Sequence, residues 1–131
     1  NRPSDISAAE AVRLEPALEH PNDLPLLIGG PVEPSRGWIL TSKPPEQEEY
    51  RGLGAGLFLS ASPLLLRPVL TARPLPKRTV VLAGYAGWGP GQLDAELADS
   101  SWLIMPVELD LIFEIPSAAA WEMARFSCCP S

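Results

Sequence analysis

A chain of 131 residues, 46% of them hydrophobic, can build one domain with a real core and is too short for two. Its net charge of −6, with ten basic residues scattered along it, argues against a nucleic-acid surface, which needs concentrated Lys and Arg to neutralise phosphates. Sixteen prolines, over twice the usual share of about 5%, remove so many backbone donors that they argue against an all-helical bundle and for short elements with stiff junctions. No apolar run reaches the ~18 residues of a membrane span. The opening Asn1-Arg2-Pro3-Ser4-Asp5 lacks the apolar core of a signal peptide.

In chain order, Ser7-Ala8-Ala9-Glu10 has the pattern of a capping box. It places a helix from about Ala8 toward Glu15, limited by Pro16. His20 to Asp23 is a loop, and Leu24 to Ile28 is a buried strand that stops at Gly29-Gly30-Pro31. A second strand runs from Gly37 to Thr41, with Trp38 and Leu40 on one face and Ile39 on the other. Strand, Gly-Gly-Pro loop and strand together predict an antiparallel hairpin with a longer connection. Lys43 to Glu49 is polar and acidic, a solvated loop, and Gly52-Leu53-Gly54 is flexible chain before a third strand from Gly56 to Ser60. Ser62-Pro63 supplies an N-cap and a first-turn proline for a helix over Leu64 to Ala72, shortened or kinked by Pro68.

Arg73-Pro74-Leu75-Pro76 is a stiff linker into the most informative stretch, Thr79 to Leu103. Val80 to Ala83 is a continuous apolar run, expected as a strand covered on both faces. Gly84, Gly87, Gly89 and Gly91 allow a tight turn, and Pro90 suits the first turn of a helix over 90–99. Leu93 and Leu97 share one face of that helix; Gln92, Glu96 and Asp99 share another. Trp102 to Met105 reads as a strand, Glu108 to Glu114 as either helix or strand, and Ala118 to Phe126 as a terminal helix carrying Trp121 inward. There is no internal repeat. The order helix, three strands, then helices alternating with strands predicts an α+β fold.

The chemistry-bearing residues are few. Gly87-Trp88-Gly89-Pro90-Gly91 lacks the Lys-Ser/Thr of a P-loop and the spacing G-x-G-x-x-G, and Pro90 removes an amide that a phosphate would use. A tight turn packing Tyr85 and Trp88 outweighs an anion site there. Ser60, Ser62 and the single histidine, His20, form no nucleophile elbow. Glu96 and Asp99 are a solvated pair rather than an acid/base couple. One histidine without a cysteine cluster excludes a zinc site, and no cofactor is expected. Cys128-Cys129 matches no metal spacing, and reduced thiols in a reducing compartment outweigh a vicinal redox pair. Trp38, Tyr85, Trp88 and Trp102 are candidates for a functional surface wherever they are exposed, although core packing is the commoner fate of such side chains.

Gly84-Tyr85-Ala86-Gly87-Trp88 followed by Gly91-Gln92-Leu93 and Glu96 resembles the YqgE/AlgH family. Asn1-Arg2-Pro3, Gly29-Gly30-Pro31-Val32 with Arg36-Gly37, Trp102-Leu103, and Asp110 to Pro116 leading to Trp121 recur in that family's order, so the resemblance covers nearly the whole chain. It implies an α+β fold with a mixed, mostly antiparallel, bifurcated sheet curled into a pseudo-barrel and flanked by short helices. It implies no established enzymatic activity, although one member is named for regulation of alginate synthesis. Residues 1–131 form a single domain of this type, lacking a stretch that family members carry before Asn-Arg-Pro. The ending Cys128-Cys129-Pro130-Ser131 departs from the family's usual one. The resemblance places the protein in the bacterial cytoplasm, or in a plastid or mitochondrial matrix.

Two functional readings follow. In the first, the protein is no enzyme and acts through protein contacts, as a regulator or accessory subunit, with an open sheet edge near Asn1 completed by a partner or by a preceding segment of the same protein. In the second, a small-molecule or anion sensor or an enzyme has a pocket between the Gly29–Pro31 and Gly84–Gly91 loops, with Arg36 as anion anchor. The residues that would serve either reading are Gly29, Gly30, Pro31, Arg36, Tyr85, Gly87, Trp88 and Gln92.

Overall fold

The computed structural model describes residues 2–12, 14, 16–46 and 48–128, the final two as helical backbone. β1 (Arg2–Ser7) runs into α1 (Ala8–Ala11); β2 (Pro25–Ile28), β3 (Val32–Thr41), β4 (Arg51–Gly54) and β5 (Leu57–Ser60) follow. Next come α2 (Pro63–Thr71) and β6 (Thr79–Tyr85), then α3 (Gln92–Ala98), α4 (Leu109–Phe113) and α5 (Ser117–Cys128). Among the described residues the strands form one sheet in the order β1-β2-β6-β3-β5-β4. Only the β2–β6 pairing is parallel. The fold is therefore α+β, as the order of elements predicts, with the mixed, mostly antiparallel sheet that the family resemblance implies. The sheet is open, with β1 and β4 as its edges.

The hairpin expected across Gly29-Gly30-Pro31 does not form. β2 and β3 do run in opposite directions, but β6 lies between them and bonds to both. The most continuous apolar run takes the centre of the sheet, where both of its hydrogen-bonding edges are used. The chain leaving β2 must then pass hard against the end of β6. Gly29 N–H donates to the Ala83 carbonyl at 2.8 Å. A Cβ on Gly30 would overlap the Tyr85 carbonyl, and one on Gly84, which sits at φ +76°, would overlap the Gly30 carbonyl.

Register explains the core. Leu26, Val81, Ile39 and Ser60 lie side by side across four strands, and all are buried, Val81 at 1% exposure and Ile39 at 2%. Ala8 of α1, Leu24, and Val69 and Leu70 of α2 close over this face. The alternate residues Leu27, Leu82, Trp38, Leu40, Val80 and Leu59 point the other way and are only half-buried. The expectation that Val80 to Ala83 is covered on both faces is thus corrected. α4 approaches this second face at one end, leaving a cavity of about 260 Å³ lined by Leu27, Val80, Ile112 and Phe113. Toward the Tyr85 end the sheet stays open.

Two strands escaped the sequence reading. β1 carries Pro3, which an edge strand tolerates. β4 is the stretch expected to be flexible; it pairs with β5 through Ala55 and Gly56, both at positive φ, as a type I′ connection requires. Conversely, Trp102 to Met105 joins no strand ladder. Apolar, β-prone residues make a strand only where a neighbour offers its edge. Glu108 to Glu114 resolves as a helix, α4, anchored by Arg78 to Asp110 at 2.6 Å and Glu114 at 3.3 Å. α5 buries Ala120, and Trp121, expected inward, is 59% exposed beside the β1 edge. Asn1 and Cys129 lie outside the described residues, as does the Cys128 side chain, so the expectations for that edge residue and the thiol pair fall there too.

The local signals at helix ends hold in part. In the Ser7–Glu10 capping box, Glu10 N–H donates to Ser7 Oγ at 3.2 Å and Ser7 N–H to Glu10 Oε2 at 3.0 Å. α1 nevertheless ends at Ala11, with Val12 already extended; Arg13 and Glu15, in the span expected to be helical, lie outside the described residues. α2 accommodates Pro68 within its nine residues. Ser62 does not cap it with its side chain, which instead donates to Glu48 Oε2 at 2.7 Å.

The loop residue Asn22 does more structural work than the sequence suggests. It is buried, and its Nδ2 donates to the Val69 and Ala72 carbonyls at 2.9 and 3.1 Å. Its Oδ1 accepts from Leu24 N–H at 3.2 Å, and its own N–H donates to the Leu70 carbonyl at 2.7 Å. One amide thus ties the end of α2 to the start of β2. Asn22→Ala strands buried backbone groups and is expected to lower stability by about 2–4 kcal/mol, measured by urea unfolding with an unchanged m value.

Candidate functional site

The glycine-rich turn ends differently from the sequence expectation. Gly91, at φ +76°, is the N-cap of α3, so Pro90 precedes the helix instead of opening it. Gln92 secures the turn: its Oε1 accepts from Gly89 N–H at 3.0 Å, and its N–H donates to the Gly89 carbonyl at 3.1 Å. α3 buries none of its residues, and Leu93 is exposed. Its polar face carries the organisation.

Glu96 is the centre of that face. Its Oε2 accepts from the indole N–H of Trp102 at 2.6 Å and of Trp88 at 3.0 Å, and its Oε1 accepts from Gln92 Nε2 at 3.1 Å. The two indoles meet edge to face, with centroids 5.6 Å apart. Both remain at the surface, Trp88 at 40% exposure and Trp102 at 48%. Donation from Trp102, then Trp88, then Gln92 holds the Glu96 carboxyl below its ordinary value of 4.5. Glu96 is therefore a fixed anion that clamps two tryptophans, where the sequence suggested only a wet helix face.

Beside this clamp the bare end of the sheet forms an open groove of about 460 Å³. Arg36, Trp38, Tyr85 and Trp88 line it, with Leu59 and Leu82 from the sheet face and Gly29, Gly84 and Ala86 at its end. Trp38 and Tyr85 meet edge to face at 6.1 Å, and the Arg36 guanidinium lies 4.5 Å from the Trp38 ring centroid. Arg36 also faces Glu33 at 3.7 Å. Hydrogen bonding to Glu33, then burial, raises the Tyr85 phenol above its ordinary 10.0, so the phenol is protonated at neutral pH. Among the described residues Trp38 Nε1 is buried with no hydrogen-bond partner.

Of the residues singled out from sequence, Gly29, Arg36, Tyr85 and Trp88 thus converge on one groove. Gly30 serves the close backbone crossing, Gln92 braces the turn, and Pro31 and Gly87 are exposed outside the lining. Glu96, Leu59 and Leu82 were missed as site residues. The Gln92–Glu96 spacing, with tryptophans eight residues before and six after Gln92's partner, was the available signal for the first. Only register reveals the other two. Ser60 is buried and donates to the Glu49 carbonyl at 2.8 Å, away from the groove lining.

The architecture is that of an open-sheet α+β protein whose glycine-rich turn presents an aromatic surface. The chain belongs to the AlgH-like family, whose profile matches residues 1–128. A UPF0301 protein of Anaeromyxobacter dehalogenans is 38% identical over 133 residues, covering 95% of this chain and 67% of its own length. Another, from Thioalkalivibrio sulfidiphilus, is 33% identical over 132 residues with the same coverage. The solution structure of the AlgH protein from Pseudomonas aeruginosa superposes with a TM-score of 0.79 at 31% identity, over 98% of this chain and 68% of that one. A crystal structure from Corynebacterium diphtheriae, at 20% identity and a TM-score of 0.65 over 96% of this chain and 66% of its own, shares the fold. The chain spans about two thirds of the length of these relatives. Among the described residues no helix is long and apolar enough to cross a membrane.

The depressed Glu96 value has a pH signature. Its stabilisation is complete above about pH 4.5, the ordinary carboxyl value, and is lost as pH falls through the lower folded one. The stability difference between wild type and Glu96→Gln is expected to be largest near neutral pH and to shrink across that acidic window. Tryptophan fluorescence of the wild type should shift over the same window and that of Glu96→Gln should not.

Proposed function

We propose that this protein acts through protein contacts without catalysing a reaction, as a regulator or an accessory subunit of a larger assembly in the bacterial cytoplasm. The observation that carries this reading is the pair of exposed indoles pinned by Glu96 beside an open apolar groove. Large aromatic side chains anchor interfaces, and holding them in one geometry beforehand lowers the entropy lost when a partner docks. The edge strands β1 and β4 offer further unpaired backbone groups to a partner. The groove brings together one guanidinium, one protonated phenol and apolar walls, a set suited to recognition and poorly suited to proton transfer or nucleophilic attack. The orphan Trp38 N–H favours a second reading, in which a small anionic ligand held by Arg36 fills the groove.

Native mass measurement and crosslinking of the protein isolated from its source separate the two. A heteromeric complex crosslinked near Trp88, Trp102 or Arg36 is the expected result, and a lone monomer without crosslinks overturns the contact reading. A monomer that releases a small molecule on denaturation establishes the ligand reading instead. Trp88→Ala and Trp102→Ala are each expected to weaken the complex by at least about tenfold, measured by titration of the purified partner.

A further inference from the structure

We infer that a second cavity, at the far end of the β3–β6 pair from the aromatic groove, binds a phosphomonoester dianion, either inorganic phosphate or the head of a small phosphorylated metabolite. The site is independent of the reading given to the groove. β6 places the two about 20 Å apart, at ~3.3 Å per residue from Thr79 to Tyr85. The cavity, of about 900 Å³, is bounded by Thr41, Ser42 and Lys43 on one side and by Lys77, Arg78 and Thr79 on the other. Phe113 at the end of α4 and the neighbouring Glu114 complete the lining.

Charge distribution carries the assignment. This chain has a net charge of −6 and only two lysines, and both line this one cavity. Arg78 beside them is already neutralised by Asp110 at 2.6 Å and Glu114 at 3.3 Å. Among the described residues no ion pair engages Lys43 or Lys77. Two lysines with no ion-pair partner among the described residues line one cavity, and an anion carrying two charges would pair with both.

The main chain at both lysines is tied to the strand ends. Thr41 and Thr79 are register partners on adjacent strands. Thr41 Oγ1 donates to the Lys43 carbonyl at 2.8 Å, and Thr79 Oγ1 donates to the Lys77 carbonyl at 3.0 Å. Ser42 N–H donates to the Arg78 carbonyl at 3.3 Å, closing the pair. One cross-strand threonine pair thus ties the main chain at both lysines, two residues after Thr41 and two before Thr79. Phe113 adds an apolar wall against which the body of an organic phosphate would rest. Glu114, committed to Arg78, places one carboxylate in the same lining, where a ligand hydroxyl would find an acceptor.

The test is titration of the full chain with inorganic phosphate, glycerol 3-phosphate and AMP, followed by amide NMR at constant ionic strength with chloride as control. Saturable shifts at Ser42, Lys43 and Lys77 to Thr79 are expected. Lys43→Gln and Lys77→Gln should each weaken binding by about tenfold, with the remaining spectrum unchanged. Binding should also fall below about pH 6, where the phosphomonoester gains a proton. Tighter binding of glycerol 3-phosphate or AMP, with shifts at Phe113, identifies an organic phosphate as the ligand; equal affinity for inorganic phosphate identifies the free ion. Shifts that chloride reproduces, or lysine variants that bind as the wild type does, overturn the site.

Discussion

β6 is hydrogen-bonded on both edges, parallel to β2 and antiparallel to β3, and the rest of the molecule accommodates that placement. Because β2 and β3 are consecutive in the chain, the segment between them must cross the end of β6 at backbone contact distance. Gly29, Gly30 and Gly84 permit the crossing, since a Cβ at any of them would meet carbonyl oxygen. The row Leu26–Val81–Ile39–Ser60 is a direct consequence, and it gives α1 and α2 a face to cover.

The same arrangement leaves the second face of the sheet unevenly covered. α4 lies near one end, held by the ion pairs of Arg78, and the Tyr85 end is left to Arg36 and the aromatics. Two cavities of opposite character then sit at opposite ends of one strand pair. One is apolar and bounded by tryptophan and tyrosine; the other gathers both lysines of an acidic chain. Glu96 matters because it keeps two indoles at the surface in a single relative orientation, where free rotation would otherwise blunt any contact they make.

Much of the site was legible because it is local. Gly84 to Trp88 and Gln92 lie within nine residues, and turn chemistry and helical spacing identified their setting. Arg36 and Gly29 were set beside them by the pocket reading, and the sheet brings them there. Leu59 and Leu82 were invisible as partners because their proximity depends on strand order, which no local pattern encodes. Asn22 was passed over for the same reason: its hydrogen bonds go to residues about fifty positions away. Trp121 was expected inward, but α5 presents its small Ala120 to the interior, so the neighbouring ring turns outward.

By itself the sequence determined the α+β class, the family, the capping box at Ser7, the strand at Val80 to Ala83 and the tight glycine turn after it. The class and the family rest on the order of elements and motifs along the chain; the capping box, the strand and the turn rest on interactions within a few residues, where side-chain size, φ preference and hydrogen-bonding capacity act directly. Tertiary structure alone decided that β6 enters between β2 and β3, that Arg51–Gly54 is a strand while Trp102 to Met105 is not, and which aromatics face solvent. A strand exists only through its partner's backbone, and burial depends on what packs above a residue. Both are properties of distant chain segments meeting, so they appear only once the whole chain is folded.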